Sequence, residues 1–125
     1  MVIELFDENE YTDTISRNPL IVMGIADKGA RLWKYLETLL RNLESQLESN
    51  IKVVITDVEV VKNLLQEFET DVAKRRSLIK VFLNGVCIFT QEDVTENIAN
   101  DMEMLKRGIK DSLKRRSVII RFTVK

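Results

Sequence analysis

A two-residue turn in the second half of the chain constrains the fold more than any other feature of the sequence. Asn84-Gly85 lies between two apolar runs, residues 78–83 and 86–89. Asparagine and glycine both accept the positive φ angles of a type I′ turn, so this dipeptide predicts a β-hairpin. Both arms are apolar at most positions, so we expect both faces of the hairpin to be covered.

Three strand-and-helix units precede the hairpin. Residues 2–6, 20–26 and 51–57 are apolar or β-branched runs that are typical of strands, and the second of them is apolar throughout. Asp7 and Glu10 form a capping box that predicts a short first helix. Apolar residues at helical spacing predict two more helices, marked by Leu32, Leu36, Leu39, Leu40, Leu43 and Leu47 and by Val61, Leu64, Leu65 and Phe68.

A long helix and a last strand follow the hairpin. Thr95 is the predicted cap of this helix, and residues 118–124 alternate between apolar and polar positions. The alternation predicts a half-exposed strand at a sheet edge. An exposed edge strand invites pairing with another chain, so a homodimer through residues 118–124 is one expectation. The other is an edge strand that completes the core of its own chain.

The length of 125 residues suits one hydrophobic core. We therefore expect a single domain over residues 1–125, with a core in 2–116 and an additional edge strand in 117–125. Acidic residues come too early for a signal peptide, and no apolar run reaches the length of a membrane span. These patterns predict a soluble, cytoplasmic protein without a membrane partner.

The composition limits the chemistry that the chain can perform. The sequence has no histidine and one cysteine, which excludes a Cys/His zinc site and the commonest general base. It contains no P-loop and no GxGxxG motif. We therefore expect no metal, no cofactor and no catalytic residues, and a protein that is not an enzyme is favoured over an enzyme.

The order of the predicted elements, βαβαβα followed by ββα, resembles that of the thioredoxin family. Asp57 at the end of the third strand looks like the aspartate of the family's Asn-Ile-Asp segment, and residues 82–85 are similar to its Phe-Lys-Asn-Gly turn. The resemblance implies an α/β fold, a thioredoxin-like three-layer α/β/α sandwich with a mixed central sheet. A doubly wound fold of the flavodoxin type is the alternative, but it expects a parallel strand in place of the hairpin.

The resemblance ends at the family's redox motif. Thioredoxin chemistry needs a Cys-x-x-Cys at the start of the second helix, where the helix N-terminus lowers the pKa of the first thiol. The matching positions here read Lys28-Gly29-Ala30-Arg31, and the family's cis-proline falls near Ser77. The resemblance therefore implies a thioredoxin-like domain that lacks thiol–disulfide chemistry.

Cationic residues replace the thiols at this edge of the predicted sheet. The carboxyl ends of strands in open α/β sheets gather ligands, and a helix N-terminus favours anions. A protein partner or an acidic or anionic ligand is therefore expected there, although solvated loop charges are the alternative. The candidate binding residues are Lys28, Gly29, Arg31, Trp33, Lys74, Arg75, Arg76 and Ser77.

The function predicted from the sequence is a redox-inactive binding or assembly module. A nucleic-acid-binding protein is one alternative, because a second basic cluster follows the hairpin, but the aromatic residues that stack on single strands are missing from it. A thiol-independent enzyme is the other, with no nucleophile to assign. We expect Cys87 to be a small core residue. The second basic cluster comprises Lys106, Arg107, Lys110, Lys114, Arg115 and Arg116.

Overall fold

A computed structural model describes residues 2–48, 50–64 and 77–118. Nine elements are placed in these residues. The strands are β1 (Ile3–Leu5), β2 (Leu20–Ala26), β3 (Lys52–Asp57), β4 (Leu78–Leu83) and β5 (Val86–Glu92). The helices are α1 (Glu8–Arg17), α2 (Leu32–Glu44), α3 (Val58–Val61) and α4 (Ile98–Lys114).

The five strands form one mixed sheet in the order β1-β3-β2-β4-β5. Strands β1, β3 and β2 are parallel, β4 runs antiparallel to β2, and β5 runs antiparallel to β4. The predicted parallel units and the antiparallel hairpin are both confirmed. All residues of β2 are buried, as its uninterrupted apolar sequence predicts for a central strand.

The hairpin turn has the geometry that its sequence predicts. Asn84 and Gly85 have φ angles of 50° and 84°, so both central residues are in the left-handed region that a type I′ turn requires. Phe82 pairs with Cys87 across the turn. The next pair along the strands joins Val81 to Phe89, so a β-bulge interrupts the ladder between these two pairs.

Helices cover both faces of the sheet and make it the middle of three layers. Helices α2 and α4 pack on one face, around a core that includes Leu40, Val22 and Leu105. Helix α1 and the four-residue α3 pack on the other face. Gly24 lets α2 lie close to β2, since a Cβ atom there would be 2.6 Å from Cδ1 of Leu40. The predicted α/β/α sandwich is confirmed.

Several predictions about single residues are wrong. Cys87 is exposed instead of buried, and Val86 is 61 % exposed, because β5 is the last strand of the described sheet and is only partly covered. Thr95 does not cap α4. Asn97 does, by accepting a hydrogen bond from the Asn100 N–H at 3.0 Å.

Other predictions fall on residues outside the described ranges. These include most of the third predicted helix beyond position 64, the cationic residues 74–76 and the last strand beyond Val118. No helix within the described ranges is long and apolar enough to cross a membrane.

Candidate functional site

An exposed turn joins the end of β2 to the start of α2 at the predicted site. All five residues of this turn, 27–31, are exposed. The Asp27 carboxylate accepts a hydrogen bond from the Gly29 N–H at 2.9 Å, and the Asp27 carbonyl accepts one from the Ala30 N–H at 3.0 Å. The turn therefore has internal order. We call residues 27–31 the β2–α2 turn.

Lys28 joins the β2–α2 turn to the neighbouring strands. Its ammonium group is 2.6 Å from a carboxylate oxygen of Glu4 on β1. The same Nζ atom lies 5.2 Å from the ring centroid of Phe6 and 5.8 Å from that of Trp33, within the range of cation–π attraction. A long hydrogen bond of 3.4 Å also runs from the Lys28 N–H to Asp57 at the end of β3. Lys28 is therefore held in place by its neighbours.

Arg31 is anchored on the other side of the turn. Both terminal nitrogens of its guanidinium group face the carboxylate of Glu96, in the segment that precedes α4. The hydrogen bond and the charge of Glu96 raise the pKa of Arg31 above its ordinary value. The side chain of Arg31 is 78 % exposed, so a partner could reach it without moving the pair apart.

The carboxylate partners change the electrostatics expected from the sequence. Lys28 and Arg31 are both cations that should attract an anion, yet each already contacts a carboxylate. An anion would have to compete with Glu4 and Glu96 for them. The described part of this edge is therefore a surface of paired charges, and an acidic or anionic ligand remains a prediction.

Ser77 reaches the same edge of the sheet from the opposite direction. It precedes Leu78, which pairs with Ile25 near the end of β2. Its side chain is fully buried, and no described residue forms a hydrogen bond with its hydroxyl group, while its carbonyl accepts a hydrogen bond from the Asp93 N–H at 2.7 Å. The structure thus brings Ser77 and the β2–α2 turn to one edge. Lys74, Arg75 and Arg76 lie outside the described residues.

Trp33 does not serve as an exposed anchor at this edge. Only 6 % of its surface is exposed, and it belongs to the core between α2 and the sheet. The large exposed aromatic side chain beside the turn is instead Phe6, which is 63 % exposed. The exposure of Phe6 could not be predicted from the sequence, because Phe6 reads as the end of an apolar strand, and only the structure shows that β1 ends at Leu5.

A partly buried polar network lies behind the turn, and the sequence did not predict it. The carboxylate of Asp101 is fully buried and accepts hydrogen bonds from the backbone N–H and the hydroxyl group of Thr95 and from the hydroxyl group of Tyr35. Burial and the hydrogen bond to Asp101 raise the pKa of Tyr35. The network fixes the segment that carries Glu96 against α2, so it positions the partner of Arg31.

The single thiol of the chain lies away from this edge. Cys87 is near the start of β5, next to the hairpin turn, and Leu83 of that hairpin pairs with Leu20 at the beginning of β2. The β2–α2 turn follows the other end of this seven-residue strand, about 20 Å farther along at the usual rise per residue. Within the described residues, no group of three potential metal ligands is close enough to bind an ion.

Solved structures with a thioredoxin fold resemble this architecture. Oxidised thioredoxin from Plasmodium falciparum is similar with a TM-score of 0.66 and 17 % identity, covering 86 % of this chain and 99 % of that one. Mitochondrial thioredoxin 3 from Saccharomyces cerevisiae has a TM-score of 0.61 and 18 % identity, covering 88 % and 94 %. No protein-family model and no curated protein matches the chain.

A third similar structure is described as a putative oxidoreductase with a thioredoxin fold, at a TM-score of 0.62 and 11 % identity. It covers 86 % of this chain and 93 % of its own. These likenesses show that the chain has a thioredoxin-like fold. With a single cysteine it has no Cys-x-x-Cys motif, which is compatible with a redox-inactive form.

Proposed function

We propose that the chain is a thiol-independent protein-binding module that docks a partner on the β2–α2 turn and the adjacent Phe6. The proposal rests on the two ion pairs that fix this exposed turn in place. Lys28 forms an ion pair with Glu4 on one side of the turn, and Arg31 forms one with Glu96 on the other side. A surface that is ordered before binding loses little conformational entropy on association.

Phe6 supplies the apolar contact that such a surface needs. It is 63 % exposed and lies next to the ammonium group of Lys28. Aromatic and arginine side chains are enriched among the residues that contribute most to protein–protein affinity. Phe6 and Arg31 flank the turn from two sides, so a partner can bury an aromatic anchor and contact exposed charges together. A protein partner fits this mixture better than a free anion does.

The nucleic-acid alternative receives less support from the basic cluster on α4. Arg107 pairs with Glu103 on its own helix at 2.9 Å. Arg115 and Arg116 donate hydrogen bonds to the carbonyl groups of Asp111 and Ser112. Such contacts, and the favourable effect of cations near a helix C-terminus, account for these side chains without a ligand. A thiol-independent enzyme remains a prediction with no residue assigned to it.

Affinity capture from an extract of the source organism tests the proposal. The tagged wild-type chain is compared with Phe6→Ala, with Arg31→Glu and with the matched control Arg41→Glu. Arg41 is also exposed and also contacts a glutamate, Glu37, but it lies near the other end of α2. We expect at least one protein to be retained by the wild type and by the control and lost from both variants of the turn. Equal retention by all four chains would refute the proposal.

A further inference from the structure

The ammonium group of Lys28 lies in a small cation site at the edge of the sheet. A carboxylate oxygen of Glu4 is 2.6 Å from its Nζ atom, which also lies over the rings of Phe6 and Trp33, with centroids 5.2 Å and 5.8 Å away. Aromatic rings around an ammonium group are also the means by which proteins recognise cationic ligands. Here the occupant is a lysine of the same chain. We call Glu4, Phe6 and Trp33 the ammonium cage.

The residues of the ammonium cage are positioned by contacts that do not involve Lys28. Glu4 lies on β1, which pairs with β3. The backbone N–H of Phe6 donates a hydrogen bond to the Glu10 carboxylate at 3.2 Å, at the start of α1. Trp33 belongs to the core between α2 and the sheet. We therefore expect the cage to keep its shape when the Lys28 side chain leaves it.

The occupant is a long side chain that solvent already reaches. The Lys28 side chain is 46 % exposed, and exposed ion pairs and cation–π contacts each contribute little to stability. Other hydrogen bonds hold the backbone of the β2–α2 turn. The Asp27 carboxylate accepts one from the Gly29 N–H, and the Asp57 carboxylate accepts one from the Lys28 N–H. The ammonium group can thus leave the cage while the turn keeps its order.

The charges beside the ammonium cage favour a cation as the replacement. Among the described residues, Lys28 adjoins the carboxylates of Glu4, Asp27 and Asp57. Three carboxylates and one ammonium group have a formal charge of minus two. The hydrogen bonds that Asp27 and Asp57 accept come from neutral backbone groups. A second ammonium group brought to this surface is therefore attracted, and an anion is repelled.

We propose that the ammonium cage binds a lysine side chain of the partner, which displaces the ammonium group of Lys28. The carboxylate of Glu4 favours lysine over a quaternary ammonium ligand. Its contact with Lys28 at 2.6 Å is a charge-assisted hydrogen bond, and a fully methylated nitrogen has no N–H to donate. The inference rests on the proposed function, because it names the group that a partner inserts beside Phe6. The partner's other contacts with the turn favour the exchange.

Proton NMR of Lys28 tests the displacement, with the peptide acetyl-Ala-Lys-Ala-amide as the probe. Protons above an aromatic ring resonate upfield, so the ε-methylene protons of Lys28 should be shifted upfield in the free chain. We expect the peptide to return them to the ordinary lysine position as it saturates the site. The same peptide with norleucine in place of lysine keeps the apolar stem and should have no effect. Equal effects of the two peptides, or no effect of either, would overturn the proposal.

Removing the occupant should increase the affinity for the lysine peptide. Trp33 is the single tryptophan of the chain, so its indole N–H signal reports binding without assignment of other rings. If Lys28 fills the cage nine-tenths of the time, Lys28→Ala should bind about tenfold more tightly than the wild type. Lys34→Ala is the matched control, because it removes the same charge from an exposed position on α2. Equal affinities of these two variants would overturn the proposal.

A further variant tests the carboxylate. Adding Glu4→Gln to Lys28→Ala should abolish the preference for the lysine peptide over the norleucine peptide, since the neutral amide no longer attracts an ammonium group. An unchanged preference would overturn the role of the cage.

The capture experiment separates this inference from the proposed function. A partner lost from Phe6→Ala and Arg31→Glu, together with no preference for the lysine peptide, would refute the cage and leave the docking surface intact. A clear preference for the lysine peptide, with no protein captured, would refute the proposed function and leave the cage as a site for lysine.

Discussion

The hydroxyl group of Tyr35 on α2 donates a hydrogen bond to the carboxylate of Asp101 on α4, and these two residues are 66 positions apart in the chain. The contact joins the helix that follows the β2–α2 turn to the helix that follows Glu96. Because Asp101 also binds Thr95, the segment carrying the partner of Arg31 is fixed to the core. The exposed turn is thus linked, through Arg31 and Glu96, to a partly buried network.

Stability at high pH should report this contact. The pKa of Tyr35 is raised from its ordinary value of 10.0, by burial first and by Asp101 second. The folded state then keeps a proton that the unfolded state releases. The stabilisation is therefore complete below pH 10 and is lost as the pH rises through the folded pKa, by at most about 1.4 kcal/mol per pH unit.

Urea unfolding between pH 8 and pH 11 measures this effect, with Tyr35→Phe as the comparison. We expect the free energy of unfolding to fall more steeply above pH 10 in the wild type than in Tyr35→Phe. Other groups that titrate in this range are present in both chains and cancel in the difference. Parallel curves would show that the Tyr35 proton contributes nothing to stability.

Replacing the acceptor Asp101 should lower the free energy of unfolding more than replacing the donor Tyr35. In Asp101→Ala the N–H and hydroxyl groups of Thr95 and the hydroxyl group of Tyr35 lose their acceptor. Asp101→Ala removes three hydrogen bonds, each contributing about 0.5–1.5 kcal/mol, and Tyr35→Phe removes one of them, so we expect Asp101→Ala to lose more stability. Chemical denaturation of both variants at pH 7 measures the two losses. An equal or smaller loss in Asp101→Ala would contradict this account of the network.

The order of the elements could be predicted from the sequence because it depends on local signals. Asp7 caps α1 by accepting a hydrogen bond from the Glu10 N–H at 2.8 Å, and Asn84-Gly85 forms the predicted turn. Each signal acts over a few residues. The parallel direction of the first three strands then follows from their short helical connections, and the antiparallel pair follows from the hairpin. Alternating β and α elements leave few other topologies.

The candidate site was less predictable, because its properties arise from contacts between distant positions. Lys28 and Arg31 are correctly placed at the end of β2, but their partners are 24 and 65 positions away. A sequence gives the charge of a side chain but does not show which distant residue pairs with it. The exposure of Cys87 was missed for a related reason, since an apolar strand reads alike at the centre and at the edge of a sheet.

Close packing at Gly24 should make this position intolerant of a methyl group. A Cβ atom there would be 2.6 Å from Leu40 and 3.1 Å from Leu36, and both leucine side chains are fully buried. Gly29 in the exposed β2–α2 turn is the matched control, because its nearest atom would be 3.5 Å away. Both Gly→Ala changes reduce the entropy of the unfolded chain alike. We therefore expect Gly24→Ala to be less stable than Gly29→Ala by about 1–3 kcal/mol.

Thermal or urea unfolding of these two variants measures the difference directly. A Gly24→Ala chain as stable as Gly29→Ala would mean that α2 can move away from β2 at little cost. The close approach of α2 to β2 would then contribute little to the stability of the fold.

The position of the single thiol leads to the last prediction. Because Cys87 is exposed, the folded chain should react with a thiol reagent such as 5,5′-dithiobis(2-nitrobenzoate) without denaturant. The chain should nevertheless fail to catalyse the reduction of insulin by dithiothreitol, since catalysis needs a second thiol to resolve the mixed disulfide. A thioredoxin with its Cys-x-x-Cys is the positive control. Turnover in the wild type that disappears in Cys87→Ser would show that one thiol at the far end of the sheet supports redox catalysis.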